Sequence, residues 1–367
     1  MPKKLLVTAS SYEHIRIFHL PYLREFKKLG FEVHVVAAGI PDQVPYTDRT
    51  YNQIFNKHGG KADNLRTASF LRKLIREERY DLIITHTTLA AFVTRMAVLG
   101  SRKRPKLVYM CHGYLFSDDM PWQKNLLLRS AERLLAGVTD LLLIMNSYDY
   151  KAAVKHRYGK RIEFIPGIGV DFSHFDHVGT QDRERLRAQY GIKEDEKVII
   201  YPAEFSGRKS QSFLIDAMEY LPEHVVMVLP GAGVMFDECV TQAKRTGKRI
   251  IFPGYINDIY SWYEMADIAV TSARTEGLPF NVMEAMYMGL PVVASAVKGH
   301  MDLIKDNETG LLFKYGDSRG CAMQIRKLID DPALCRCLSD NAKSRVGKYS
   351  LKEVLPQVMS YYLSEVN

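Results

Sequence analysis

The chain has 367 residues, is 47% hydrophobic and carries a net charge of +8, which makes it too long for one ordinary core and about right for two domains. Its five cysteines (Cys111, Cys239, Cys321, Cys335 and Cys337) are odd in number and match no paired metal-ligand spacing, so a reducing cytoplasm fits best. The opening MPKKLLVTAS runs directly into strand-like sequence, unlike a signal peptide, and no later run reaches about 18 apolar residues, so a membrane-crossing chain is not expected.

In chain order, KKLLVTAS reads as a buried strand, followed by a helix over FHLPYLREFKKLG that Gly30 caps, and by a second strand at FEVHVVAA. A helix over TASFLRKLIREERY leads to strands at DLIITH, KLVYMCH and DLLLIMN, all short, apolar and bounded by turns. FIPGIGVDFSHF, residues 164–175, is punctuated by Pro166, Gly167 and Gly169 and reads as an interdomain joint. Beyond it the pattern repeats, with strands at KVIIYPAE, VVMVLPG, RIIFPGY, DIAVTSA and PVVASA, and the chain closes on a helical SLKEVLPQVMSYYLSEV. This alternation predicts an α/β protein of two Rossmann-like, doubly wound parallel-sheet domains, residues 1–168 and 169–346, with a terminal helix in 347–367 packing back on the first.

Charge is divided unevenly. Residues 1–161 hold 27 Lys and Arg against 14 Asp and Glu, whereas the remainder holds 23 against 28. A basic first half suits a phosphate-bearing substrate or an anionic membrane surface, unless its cations merely solvate helix faces. SRKRPK at 101–106 and PWQKNLLLRSAERLLAG at 121–137 are the candidate surface contacts.

The stretch ARTEGLPFNVMEAMYMGLPVVAS, residues 273–295, places Glu276 and Glu284 on either side of Gly277-Leu278-Pro279. Pro279 suits a first helical position, so a helix should begin near Leu278 to Phe280 and end at Gly289 and Pro291. Glu276 then sits in the loop at a strand's carboxyl end, and Glu284 lies about one turn into the helix. Unpaired N–H groups at that helix start form a seat for phosphate, and a carboxylate one turn along suits a pair of ribose hydroxyls. Either acid alone could serve only the fold, as a helix-start acid or a loop acceptor.

The matches run further. The motif resembles the E-x7-E segment of the retaining glycosyltransferases of family 4, through Glu276, Gly277, Glu284, Ala285, Met286, Gly289, Pro291 and Val292 to Ser295. IPGIGVDFSHF, FPGYINDIYSWYEMADIAVTS and KGHMDLIKDNETGLLF are similar to further segments of that family, and the first half looks like its bacterial cell-surface polysaccharide branch. The resemblance implies a GT-B fold, with a nucleotide sugar held by the C-terminal domain and an acceptor by the N-terminal one. It implies that Glu284 holds the ribose and Glu276 the donor sugar's hydroxyls. Gly277, Leu278, Pro279 and Phe280 would contact sugar and phosphate through their backbone, and Gly254, Tyr255 and Ile256 would line the base, expected to be uracil. Lys209, with Arg208 before it, would neutralise the diphosphate, although Glu204 occupies the position where many members carry an Arg. His112 matches the family's donor-contacting histidine, and His14 and His86 are weaker candidates on the acceptor side.

A nicotinamide-dependent oxidoreductase would need G-x-G-x-x-G after the first strand, and VTASSYEHIR lacks it. The absence of D-x-D, with cations to take its place, leaves no metal or cofactor expected beyond the donor. The expected activity is retaining transfer of a hexose or N-acetylhexosamine from a UDP-sugar to a polyprenyl-diphosphate-linked saccharide, in the cytoplasm and peripherally at the inner face of the membrane. The expected partners include an anionic membrane surface and no nucleic acid. A nucleotide-sugar epimerase or a non-catalytic nucleotide-sugar-binding protein of the same fold is the alternative.

Overall fold

The computed structural model describes residues 2–40, 44–55, 61–101, 103–118, 120–176 and 180–366. The chain forms two compact units, Met1–Ile168 with Val354–Asn367, and Gly169–Glu353. Arg102 of the basic stretch lies outside the described residues.

The first unit carries seven parallel strands: β1 (Lys4–Thr8), β2 (Glu32–Ala37), β3 (Arg49–Asn52), β4 (Leu82–His86), β5 (Lys106–Cys111), β6 (Leu141–Ile144) and β7 (Arg161–Phe164). Their order is β3-β2-β1-β4-β5-β6-β7. β4 and β6 are buried at every residue, as central strands covered on both faces must be, and this is why they read as continuous apolar runs. The outermost strands β3 and β7 are half-exposed. The terminal helix Leu351–Leu363 enters this unit from Val354, and its buried Tyr362 packs against Tyr22 and Phe26.

The helix expected over 18–30 is broken. Tyr12–Phe18 and Leu20–Lys28 are separate helices meeting at His19, because Pro21 cannot donate a backbone hydrogen bond and instead occupies the first turn of a new helix. Gly30 follows the second helix at φ +80°, the left-handed conformation of a helix terminator.

The second unit carries β8 (Lys197–Ile200), β9 (Val225–Val228), β10 (Ile250–Ile251), β11 (Ile268–Thr271), β12 (Val292–Ser295) and β13 (Leu311–Phe313), all parallel, in the order β10-β9-β8-β11-β12-β13. Gly169, at φ +79°, lies so close to the Leu351 backbone that a Cβ would come within 2.6 Å of its Cα. Paired bonds from Val170 N to Tyr349 O and from Leu351 N to Val170 O hold residues 349–351 on this unit.

In both sheets the connections run outward in opposite directions from a central pair, β1 and β4 in the first, β8 and β11 in the second. At such a switch point the loops diverge and leave a crevice at the strands' carboxyl ends, where ligands bind in open α/β sheets.

Candidate functional site

In the second unit, the loops that follow β8 and β11 hold the two cations and the first acid singled out by sequence. Glu276 is 8% exposed; one carboxylate oxygen accepts a hydrogen bond from Arg208 Nη1 at 2.9 Å, and the other forms an ion pair with Lys209 Nζ at 2.7 Å. Burial pushes the Glu276 carboxyl up, but Lys209 and Arg208 outweigh it and leave it below the ordinary carboxylate value, so it is ionised at neutral pH. Hydrogen bonds to backbone carbonyls fix the two loops to each other. Arg274 N donates to Arg208 O at 2.8 Å, and Ser272 Oγ donates towards the carbonyls of Lys209 and Ser210, at 3.1 and 2.8 Å.

Glu204 is exposed and takes no part in this group; its carbonyl accepts from Gln211 Nε2. Arg208, four residues on, supplies the second cation, with its side chain 45% exposed and therefore open to an incoming anion.

The helix Phe280–Tyr287 begins directly after Pro279, which stands at the N-cap with φ −77° and ψ 127° rather than at the first helical position. The expected helix start holds to within a residue. Glu284 lies one turn in, with Oε2 accepting from Tyr263 Oη at 3.0 Å. Burial pushes its carboxyl up to about 7, against the opposing effects of the Tyr263 hydrogen bond and the Lys209 charge. The two acids of the motif thus sit in opposite electrostatic settings: Glu276 is compensated by two cations, whereas Glu284 is only partly compensated and close to half-ionised at neutral pH.

Gly254, Tyr255 and Ile256 occupy the loop after β10, two strands away from β8. Gly254 is at φ +81° and its carbonyl accepts from Gly231 N at 2.8 Å, while the Tyr255 side chain is 70% exposed. Gly231 and Gly233 allow the loop after β9 to lie against the loop after β8, since a Cβ at either would fall within 2.3 Å of a carbonyl oxygen.

Three participants were not singled out from sequence. Gly299, at φ +82°, packs so tightly on the Glu276–Gly277 backbone that a Cβ would lie 2.7 Å from Gly277 O. His300 is fully buried behind this contact, with Nδ1 2.8 Å from Ser295 O and Nε2 3.4 Å from Thr271 Oγ1. Burial pushes its imidazole down to about 4, although Glu276 and the Ser295 carbonyl act in the other direction, so it is a neutral prop. Both lie in the KGHMDL segment, whose match to the family was the available signal. Tyr263, the partner of Glu284, lies in FPGYINDIYSWYEMADIAVTS, whose match gave the same kind of signal.

In the first unit, His14, His86 and His112 do come together, and His19 joins them. His14 and His19 follow β1, His86 ends β4 and His112 follows β5, all at the switch point of that sheet. His14 Nε2 and His19 Nε2 are 3.2 Å apart, His86 Nδ1 and His112 Nε2 are 3.3 Å apart, and the His19 and His86 rings stack with centroids 3.7 Å apart. Burial, reinforced by the neighbouring imidazoles, holds His19, His86 and His112 well below the usual imidazole range.

Two doubly wound parallel sheets, each with its switch point at the strands' carboxyl ends, are the architecture of the GT-B class of glycosyltransferases. Residues 22–173 match the family described as Glycosyltransferase Family 4, and residues 182–345 match Glycosyl transferases group 1. EpsD of Bacillus subtilis (strain 168), named for glycosyl transfer, is 34% identical over 99% of this chain and 97% of its own length. The UDP-Gal:alpha-D-GlcNAc-diphosphoundecaprenol alpha-1,3-galactosyltransferase of Escherichia coli is 23% identical over 94% of this chain and 92% of its own. The structure of Anabaena HepE in complex with UDP-glucose superposes with a TM-score of 0.80 at 23% identity, covering 98% of this chain and 99% of that one. The chain belongs to the family 4 glycosyltransferases.

Proposed function

We propose that this glycosyltransferase moves a hexose or N-acetylhexosamine from a UDP-sugar, with retention at the anomeric carbon, to a polyprenyl-diphosphate-linked saccharide. The observation that carries the reading is the joining of Arg208, Lys209 and Glu276 at the switch point of the second sheet, with Glu284 on the adjoining helix. The E. coli relative's name specifies a UDP-sugar donor and a lipid-diphosphate acceptor, and HepE binds UDP-glucose on the same fold.

As the bond to the departing diphosphate breaks, negative charge grows on its oxygens and positive charge on the anomeric carbon. Arg208 and Lys209 meet the first, being fixed cations in a partly water-excluded site. Glu276, held rigidly by both, accepts hydroxyls of the sugar, and Glu284 accepts the ribose hydroxyls. His112 contacts the donor sugar, with His14 and His86 towards the acceptor, and Gly254 to Ile256 frame the base. Because the chain supplies its own cations, turnover survives chelation of divalent ions in this reading.

A peripheral position at the cytoplasmic membrane face is supported by helix Trp122–Leu135, on which Trp122, Leu126, Leu127 and Leu134 are each more than half exposed beside Lys124 and Arg133. A depression in the same unit is lined by Arg72, Arg76, Arg79, Lys103, Arg104 and Lys106. No helix among the described residues is long and apolar enough to cross a membrane.

The test is a panel of nucleotide sugars scored by nucleotide release with and without membrane extract, alongside titrations with UDP, GDP and NAD. UDP preference and extract-dependent release are expected. Preference for NAD, or epimerised donor without transfer, would overturn the reading.

A further inference from the structure

The imidazoles of His14, His19, His86 and His112 form a close cluster. Ring nitrogens of His14, His19 and His112 all lie within 4.8 Å of one another. The Nε2 atoms of His14 and His19 are 3.2 Å apart. Two imidazoles on one tetrahedral zinc ion, with metal–nitrogen bonds of about 2.0–2.1 Å, place their nitrogens roughly 3.3–3.4 Å apart, so this spacing needs little adjustment.

Two other features point the same way. The rings are braced: His19 stacks on His86 at 26°, and His14 meets His112 edge-on at 4.7 Å. Among the described residues the donor set is three imidazoles, which suits zinc, nickel or copper rather than magnesium or calcium.

Another compact set of donor atoms among the described residues, Glu32, His34 and Glu78, is held by charged partners. There Glu78 is paired with Lys4 and Arg49, and His34 bonds Tyr80 and Glu32, so a metal would have to displace charged partners to reach those donors.

We propose that His14, His19 and His112 form a binding site for a divalent transition metal of the zinc class, with His86 packed behind it and the fourth position left to water. Occupancy would withdraw His112 from the donor sugar and make zinc an inhibitor. That consequence rests on the role given to His112 above; the binding itself does not.

The full chain, stripped with chelator and desalted, is titrated with Co2+ as a spectroscopic stand-in for Zn2+. Expected are the intense visible bands of tetrahedral cobalt, saturating at one ion per chain and displaced by zinc. His14→Ala, at a partly exposed helix position, should weaken binding by roughly tenfold or more, at least the loss seen when a metal site's outer shell is disturbed. His19→Gln is the second variant, and circular dichroism confirms that each is folded. His224→Ala, on an exposed surface elsewhere, and Glu32→Gln, in the other donor set, should bind as wild type does. Pale octahedral bands only, or binding equally tight in folded His14→Ala and His19→Gln, would overturn the site. Tight tetrahedral binding without inhibition would keep the site and remove His112 from the donor.

Discussion

At Glu284, nucleotide recognition and stability should pull in opposite directions. Its carboxyl titrates at about 7 rather than 4.5 because burial penalises the charged form more than Tyr263 and Lys209 favour it. Each tenfold change in proton affinity is worth about 1.4 kcal/mol, so ionising this group costs the folded chain about 3 kcal/mol more than the unfolded one. The Glu284 side chain is of intermediate exposure rather than enclosed, and solvent screening reduces that to ~1–2 kcal/mol. For the sign, the folded state holds the proton more tightly than the unfolded state, so the penalty is absent below about 4.5 and complete above about 7. Glu284→Gln keeps the shape and removes the titration, and should therefore be more stable than wild type by ~1–2 kcal/mol at about pH 8, with the difference vanishing towards about pH 4.5. Urea unfolding followed by the fluorescence of Trp262, buried in the same unit, reads this directly. The same substitution should weaken UDP-glucose by about tenfold or more, since hydrogen bonds to an ionised group are worth about 1.5–3 kcal/mol. UDP-glucose carries no phosphate that titrates near neutrality. Wild-type affinity should rise as pH passes through about 7, while the glutamine variant stays flat. A variant that is less stable than wild type at alkaline pH, with unchanged nucleotide affinity, would refute the reasoning and make Glu284 a purely structural acid.

Glu276→Gln should lower kcat by roughly tenfold or more while UDP binds at least as tightly as before, because Arg208 and Lys209 lose their internal anion and the free nucleotide has no hexose to misplace; calorimetry with UDP alone and steady-state rates with the full donor separate the two. Gly299→Ala places a Cβ against Gly277 O at an unfavourable φ, so it should destabilise the second unit by about 1–3 kcal/mol and reduce turnover through a displaced Glu276, read by unfolding and by rate. A rate lost completely in chelator and rescued by manganese would count against Arg208 and Lys209 as the neutralising charges. Trp122→Ala with Leu127→Ala should weaken sedimentation with anionic vesicles, and wild-type binding should fall as salt rises; equal partitioning into neutral and anionic vesicles at low salt would remove the electrostatic argument.

Most of the fold was legible because a parallel sheet buried on both faces writes itself as repeated apolar runs, and β1, β4, β5, β6, β8, β9, β11 and β12 each stand in such a run. The strands that escaped are at sheet edges. RTYN and RIEF are half-exposed and polar, and LLF at β13 spans only three residues, so none carries enough apolar continuity to separate it from a loop. The same distinction governs the site. Glu276, Gly277 and Glu284 lie within nine residues, and their chemistry can be read from one segment. Lys209 and Arg208 needed the family's pattern to be joined to them, since no local rule connects the loop after β8 with the loop after β11. His19 lay beyond both kinds of reading. Its place in the imidazole cluster depends on the helix break that Pro21 enforces, and the helical period over residues 18–30 conceals that break. Side chains that act through the crossing of distant loops become visible only once the strand order is known. In both sheets that order puts them at the same place, where neighbouring connections turn away from each other and leave the backbone open to a ligand.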